Sequence, residues 1–200
     1  MKTIAKAKGR PRAFDIDKAL DRALQVFWRK GYEGASMADL TEAMGINSPS
    51  LYAAFGNKEN LFRKALDRYT NERSSFMEKA LAAPTAREAV EAILRDSVAF
   101  MTERGHPKGC LIAQSALTCG DAAEPIKREL ISRRMATEAA IRERFERAVT
   151  EGDLPADTDP TALARYIMTV NQGMSVQAAS GASRAELAEV AEIALKAWPR

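Results

Sequence analysis

Residues 45–62 of this 200-residue chain read GINSPSLYAAFGNKENLF, and they gather side chains suited to a polar task. Asn47, Ser48, Ser50 and Tyr52 offer amide and hydroxyl groups, and Lys58 offers a positive charge. Such groups hydrogen-bond and pair with charge. Hydrolysis would need a nucleophile, an oriented base and an oxyanion site, and no such set stands out. His106, the only histidine, lies near Cys110, but no third ligand stands close in sequence. The reading is therefore neither an enzyme nor a metal protein, and no cofactor is expected.

The punctuation of the stretch suggests what the polar groups serve. Gly45 can end one short helix, Ile46 can plug the angle to the next, and Ser48 can cap the second helix with Pro49 at its first position. A second helix held this way can lie in a DNA major groove with its N-terminal residues aimed at base edges. Gly56 closes it. Asn57 then caps a longer helix whose first-turn N–H groups, beside Lys58, can meet a phosphate. A generic helical corner carries the same punctuation, so the pattern alone leaves both readings open.

The elements that must position this unit are helices throughout. Sustained period-two alternation is missing, whereas apolar residues recur at helical spacing. Phe14 and Asp15 open a first helix with a stripe through Ile16, Leu20, Leu24 and Phe27, which Gly31 stops. Ser36 with Asp39 forms a capping-box pattern before a short helix holding Leu40 and Met44. The helix after Asn57 is expected to run into the low eighties. Thr85 with Glu88 boxes the next helix, to about Glu103. Further helices are expected near 110–118, 123–150, 160–180 and 184–197, the last two started by Asp159-Pro160 and by Ser183 with Glu186. The fold class is all-α, with about nine helices.

The formal net charge of +3 is unevenly spread. Residues 1–12 carry Lys2, Lys6, Lys8, Arg10 and Arg12 without an acid, residues 13–70 balance, and the remainder is slightly acidic. Such a tail is either a solvated appendage or an arm for nucleic acid. It lacks the apolar core of a signal peptide, and no apolar run approaches a membrane span, so a cytoplasmic protein without a membrane partner is expected.

The segment AFDIDKALDRALQVFWRKGYEGASMADLTEAMGINSPSLYAAFGNKENLFRKAL resembles the DNA-binding domain of the TetR family of transcriptional regulators. The matching features are Phe27 with Gly31-Tyr32, the run Ser36, Leu40, Ala43 and Gly45-Ile46, and Leu51-Tyr52, Phe55, Lys58-Glu59 and Leu61. The resemblance implies a basic arm (1–12), a helix-turn-helix domain (13–57) and a ligand-binding and dimerisation domain (58–200). It places Ser36, Ser48, Ser50, Tyr52 and Lys58 near a double-stranded operator, with Tyr52 and Lys58 on phosphates. The alternative for Tyr52 is a core aromatic, like its neighbours Leu51 and Phe55. Many members carry Arg or Lys at the start of the recognition helix. Here residues 46–55 hold no charge, so bidentate Arg–guanine readout is unavailable from that helix. Asn47, Ser48 and Ser50 can add hydrogen bonds to bases, and Arg10 and Arg12 can add minor-groove contacts.

By the same resemblance, the last two helices pair with their copies in a homodimer through Leu163, Ile167, Val170, Met174, Leu187, Val190 and Ala194. Periodicity fits an intramolecular core equally well. A small effector is expected among the later helices. It should be apolar or amphipathic, since the Met, Phe and Leu residues there dominate and no charged cluster stands out. Cys110, opening a helix beside Lys108, is a candidate redox or electrophile sensor or simply a buried thiol. One helix between Cys110 and Cys119 would set them about 13 Å apart, too far for a disulfide. The function implied is a repressor released from its operator by a ligand. The alternatives are an architectural or partner-recruiting DNA-binding protein, or a cysteine-based sensor.

Overall fold

Most helices in this protein begin where a short polar side chain takes over one of the orphan N–H groups of the first turn, those after Cys110 and Ala123 being exceptions. The computed structural model describes residues 14–120 and 123–199, so Arg10 and Arg12 lie outside the described residues. Among the described residues there are nine helices and no strand: α1 (Ile16–Gly34), α2 (Met37–Met44), α3 (Ser48–Phe55), α4 (Lys58–Leu81), α5 (Ala86–Thr102), α6 (Leu111–Thr118), α7 (Glu124–Glu151), α8 (Pro160–Ala179) and α9 (Arg184–Lys196). Asp15, Asn57 and Asp159 cap α1, α4 and α8. Ser36 with Asp39, Thr85 with Glu88 and Ser183 with Glu186 form reciprocal boxes at α2, α5 and α9.

Two local expectations need correction. Asn47, not Ser48, caps α3: its Oδ1 accepts the Ser50 N–H at 2.9 Å, and Ser48 and Pro49 begin the first turn. Asn reaches back three residues as well as Ser does, and it stands one residue earlier. Gly31 breaks α1 (φ 70°, ψ 177°), but a further turn carries the chain on to Gly34.

The helices pack around two clusters of buried side chains. The first joins Phe27, Leu40, Leu51, Phe55, Leu61 and Phe62 of α1–α4, and it continues through Tyr69 into Leu111, Ile126 and Leu130 of α6 and α7. The second joins α5, α7, α8 and α9 through Val90, Leu94, Ile141, Phe145, Ile167 and Leu187. The helix-turn-helix unit thus shares its core with α6 and the start of α7.

Ion pairs fix the long helices against each other. Arg68 of α4 reaches Asp17 and Asp21 of α1 at 3.0 and 2.6 Å. Arg63 of α4 meets Glu129 of α7 at 2.8 Å, and Arg133 joins Glu129 to Asp67. Between α4 and α5 the buried Arg144 donates to the carbonyls of Ala83 and Pro84, while Asp153 accepts the Ala86 N–H. These bonds engage Nη2 of Arg144, while its buried Nε and Nη1 have no hydrogen-bond partner among the described residues.

Gly109 is where the chain tolerates no side chain. Its φ is +86°, and a Cβ there would lie 2.7 Å from the Ser175 carbonyl oxygen. Gly152 has φ +77° with nothing within 4 Å of the same atom. Gly152→Ala should therefore cost only the left-handed backbone term, about 1–2 kcal/mol. Gly109→Ala should add about 1–3 kcal/mol of overpacking. Urea denaturation followed by circular dichroism checks this ordering; equal losses would remove the packing constraint from Gly109.

Candidate functional site

The outer face of α3 is built by its inner one. Leu51 and Phe55 are fully packed under the helix, and half-buried Ile46 fills the angle with α2. Gly45 takes the left-handed conformation (φ 69°) that closes α2, with its N–H on Glu42 O and the Ile46 N–H on Thr41 O. A side chain there would also press on Arg22, whose guanidinium reaches Met44 O. With the inner face anchored, Asn47, Ser48, Pro49, Tyr52 and Ala53 are exposed, and Ser50 is half-buried. Tyr52 is 51% exposed, which removes the core reading of this ring.

The polar groups of this face are not all free. Asn47 Oδ1 is spent on the α3 cap, leaving its amide N–H groups to face outwards. Ser36 Oγ accepts the Asp39 N–H at 3.0 Å, but its own proton can still be donated. Lys58 lies 4.7 Å over the Tyr32 ring and donates to Glu33 O at 3.4 Å, so it is folded back onto the end of α1. Burial lowers its ammonium below the ordinary lysine value, and the Glu33 carboxylate opposes that shift. The structure brings Ser36, Asn47, Ser48, Ser50, Tyr52 and Lys58 into the helix-turn-helix unit and adjoining caps.

A cavity of about 1030 Å³ lies at the other end of α4, among α4, α5, α6, α7 and α8. Phe76, Phe100, Met101, Met168, Asn171 and Gln172 line it. Met174, Leu111 and Phe145 sit in the cores. The expectation that no charged cluster stands out is not met: the wall includes Arg73, Arg133 and Arg134, which come together only in three dimensions.

Cys110 stands on this wall as the residue before α6. Its N–H donates to the buried Ser175 Oγ at 2.7 Å. Arg73 donates to the Tyr69 oxygen at 3.0 Å, and the Tyr69 hydroxyl donates to Cys110 Sγ at 3.2 Å. Burial first, then the nearby Cys110, pushes the Tyr69 phenol well above its ordinary value, so it remains a neutral donor. Cys110 and Cys119 flank α6 as free thiols.

Trp28, not singled out by sequence, ties the two regions together. It stacks on His106 and Phe100 with ring centroids at 4.6 and 5.5 Å, and meets Tyr69 edge-on at 5.0 Å. Glu33 adds a second tie, accepting the Gly120 N–H at 2.7 Å.

The residues expected at a dimer interface are placed unevenly. Ile167, Met174, Leu187 and Ala194 are buried within the protomer, because their faces of α8 and α9 turn to α5 and α7. Leu163 and Val170 are half-buried against the same core. Val190 is exposed, as are Ile193 on α9 and Tyr166 and Val176 on α8. The inner stripe is the more regular, so periodicity selected it first.

A helix-turn-helix unit on an all-α body with an internal cavity defines a DNA-binding transcriptional regulator. Residues 19–65 match the family described as bacterial regulatory proteins, tetR family, and residues 84–194 match the tetracyclin repressor-like C-terminal domain. The chain is 37% identical to the HTH-type transcriptional repressor ComR of Escherichia coli K12, covering 98% of this chain and 94% of that one. It is 34% identical to the uncharacterized HTH-type transcriptional regulator YezE of Bacillus subtilis, covering 80% and 83%. Among solved structures, a cysteine mutant of the TetR family regulator CifR complexed with 26 bp operator DNA is 49% identical. It covers 95% of this chain and all of that one, with a TM-score of 0.91. The chain belongs to the TetR family, whose members act as dimers on double-stranded operator DNA. No described helix is long and apolar enough to cross a membrane.

Two measurements test the site. Lys58→Ala should weaken binding on every duplex and lower the salt slope by about one per recognition unit, whereas Tyr52→Phe should cost roughly 0.5–1.5 kcal/mol per unit at constant slope. Fluorescence anisotropy against salt reads both; unchanged slopes and affinities would remove the pair from the interface. Asp39 supplies a pH test. The Lys30 ammonium at 2.7 Å, with Ser36, holds its carboxyl down at about 2, against 3.8 when free. The folded value lies below the unfolded one, so this contribution is present above 3.8 and lost as pH falls towards 2. Wild type and Asp39→Asn should differ in denaturation midpoint near neutrality and converge in acid.

Proposed function

We propose that the protein is a repressor that grips a near-palindromic operator as a homodimer and leaves it when a small molecule fills the cavity. The observation that carries this reading is the shared wall. Tyr69 and Arg73 belong to α4, the helix that begins beside α3, while Cys110 and Ile112 flank and belong to α6, which packs on α1. A ligand pushing on α4 and α6 pushes on both supports of the reading head. Paired recognition helices must sit about 34 Å apart to enter successive grooves, so a shift of a few ångströms lowers affinity. A coupling of ~1–3 kcal/mol corresponds to roughly 5–150-fold. An architectural DNA-binding protein needs no such cavity.

In this reading Ser36, Asn47, Ser48, Ser50, Tyr52 and Lys58 approach the operator, and Arg10 and Arg12 follow the minor groove. The exposed stripe of Tyr166, Val176, Val190 and Ile193 forms the two-fold contact. Gly173, on the same side of α8 with nothing near its missing Cβ, permits close approach. A second reading rests on the Tyr69–Cys110 hydrogen bond: alkylation of Sγ would crowd its acceptor and add bulk to the same wall.

An operator duplex selected from a random pool provides the assay. Ala140→Trp, which places an indole on the cavity wall, should lower operator affinity roughly 5–150-fold without unfolding the protein. Unchanged affinity would separate the cavity from control. Val176→Asp with Ile193→Asp should yield monomers by light scattering and lose the operator; persistent dimers would place the interface elsewhere. Iodoacetamide should release DNA from the wild type and not from Cys110→Ser if the thiol is a trigger.

A further inference from the structure

The cavity has walls that an apolar ligand alone leaves unsatisfied. Six basic and three acidic side chains line it, so its lining carries a positive surplus. Arg133 is neutralised by Asp67 and Glu129. Arg73 and Arg134 differ: among the described residues neither has a carboxylate within ion-pair distance. Arg73 is held only by the Tyr69 hydroxyl and by the face of Phe100, 4.1 Å from the ring centroid. Arg134 Nε is buried without a hydrogen-bond partner, and so is Asn171 Oδ1 on the same cavity wall.

A buried guanidinium N–H without an acceptor costs more than an ordinary unmade hydrogen bond, and native proteins keep such groups where something else completes them. Here Arg73 and Arg134 lie on α4 and α7, neighbouring helices that Arg133 joins through Thr70, on the wall of one space that also presents Met77, Met101 and Met168. An anionic head with an apolar tail answers both features. A neutral apolar molecule would strand the charges.

We propose that the cavity is an acid-binding site: it takes a small amphipathic carboxylate whose head is neutralised by Arg73 and Arg134 and whose tail lies along the methionines and Phe100. This rests on the reading of the cavity as the effector site and adds the ligand's chemical class. It also supplies a route to α1. A carboxylate accepting from Arg73 competes with the Tyr69 oxygen for the same guanidinium. Both Tyr69 and Phe100, over which Arg73 lies, contact Trp28. Guanidinium–carboxylate pairing is frequently bidentate and about twice as strong as a neutral hydrogen bond, so the head group can win that competition.

Decanoate and 1-decanol share a tail and differ in the head, and they serve as probes. Binding is measured by isothermal titration to wild type, Arg73→Gln, Arg134→Gln and the exposed control Arg95→Gln, with release of the selected operator duplex followed in parallel. The wild type and Arg95→Gln should bind decanoate at least ~10-fold more tightly than decanol. Each cavity variant should lose roughly 10-fold or more for decanoate and little for decanol, whose binding also certifies an intact cavity. Equal affinity for acid and alcohol, or decanoate affinity unchanged in both cavity variants, overturns the acid site. If both probes then still release the operator, the cavity remains the effector site and only its chemical class was misassigned. Failure of both probes to bind also overturns the acid site, and the Ala140→Trp operator assay then decides independently whether the cavity controls DNA binding.

Discussion

The burial of Trp28 joins the two ends of this molecule. A helix-turn-helix unit needs α1 to brace α2 and α3, and α1 in turn needs a surface to rest on. That surface is the cluster of Phe100, His106 and Tyr69, against which Trp28 is 5% exposed. Phe100 and Tyr69 also line the cavity. One layer of aromatic rings is thus the back of the reading head and the front of the ligand chamber. Aromatic pairs contribute about 0.5–1.5 kcal/mol each beyond their burial. A control coupling of ~1–3 kcal/mol therefore requires the loss or shift of only a few such contacts, and the rest of the fold can stay as it is.

The rest of the fold is arranged to keep that layer tight. The Arg68 pairs to Asp17 and Asp21 hold α4 on α1, and the Arg63–Glu129–Arg133–Asp67 ladder holds α4 on α7. These pairs are partly exposed and individually weak, but they lie across helix–helix seams where sliding would occur. Gly109 brings the chain against Ser175 so that Cys110 can hydrogen-bond across to α8. The cavity persists among these braces because its boundary is fastened by polar contacts, and apolar collapse would leave Arg134 and Asn171 still unpaired.

The sequence was most legible where a rule is local. Capping side chains act within three residues, so the starts of α1, α2, α4, α5, α8 and α9 could be read directly, and so could the outward turn of Tyr52 between buried Leu51 and Phe55. Asn47 and Ser48 were confused because both are good caps and stand side by side; which is used depends on where the backbone leaves the extended region. The burial of α8 and α9 was less legible for a different reason. α8 and α9 are apolar on two faces, and periodicity ranks the fuller inner face first without saying which face a partner covers. Arg73 and Arg134 are 61 positions apart in the chain, so no window could join them. Trp28 and His106 likewise become a pair only when α1 closes over the loop after α5.

The uncharged recognition helix follows from the same division of labour. With no charge from Ile46 to Phe55, α3 cannot draw its affinity from Arg–guanine pairs, and each hydroxyl or amide contact discriminates only modestly. Phosphate neutralisation is the other source of affinity, and Lys58, proposed above to approach the operator, lies against Tyr32 and Glu33 at the end of α1. Releasing that side chain towards a phosphate costs a cation–π contact and a hydrogen bond, both owned by α1. The same Glu33 accepts the Gly120 N–H just beyond α6 through its carboxylate. A displacement of α6 by a ligand therefore acts on Glu33, which in turn helps to position Lys58. Because α3 itself offers little electrostatic grip, a regulator built this way can be released by moving a few phosphate contacts, without remodelling the surface that reads the bases.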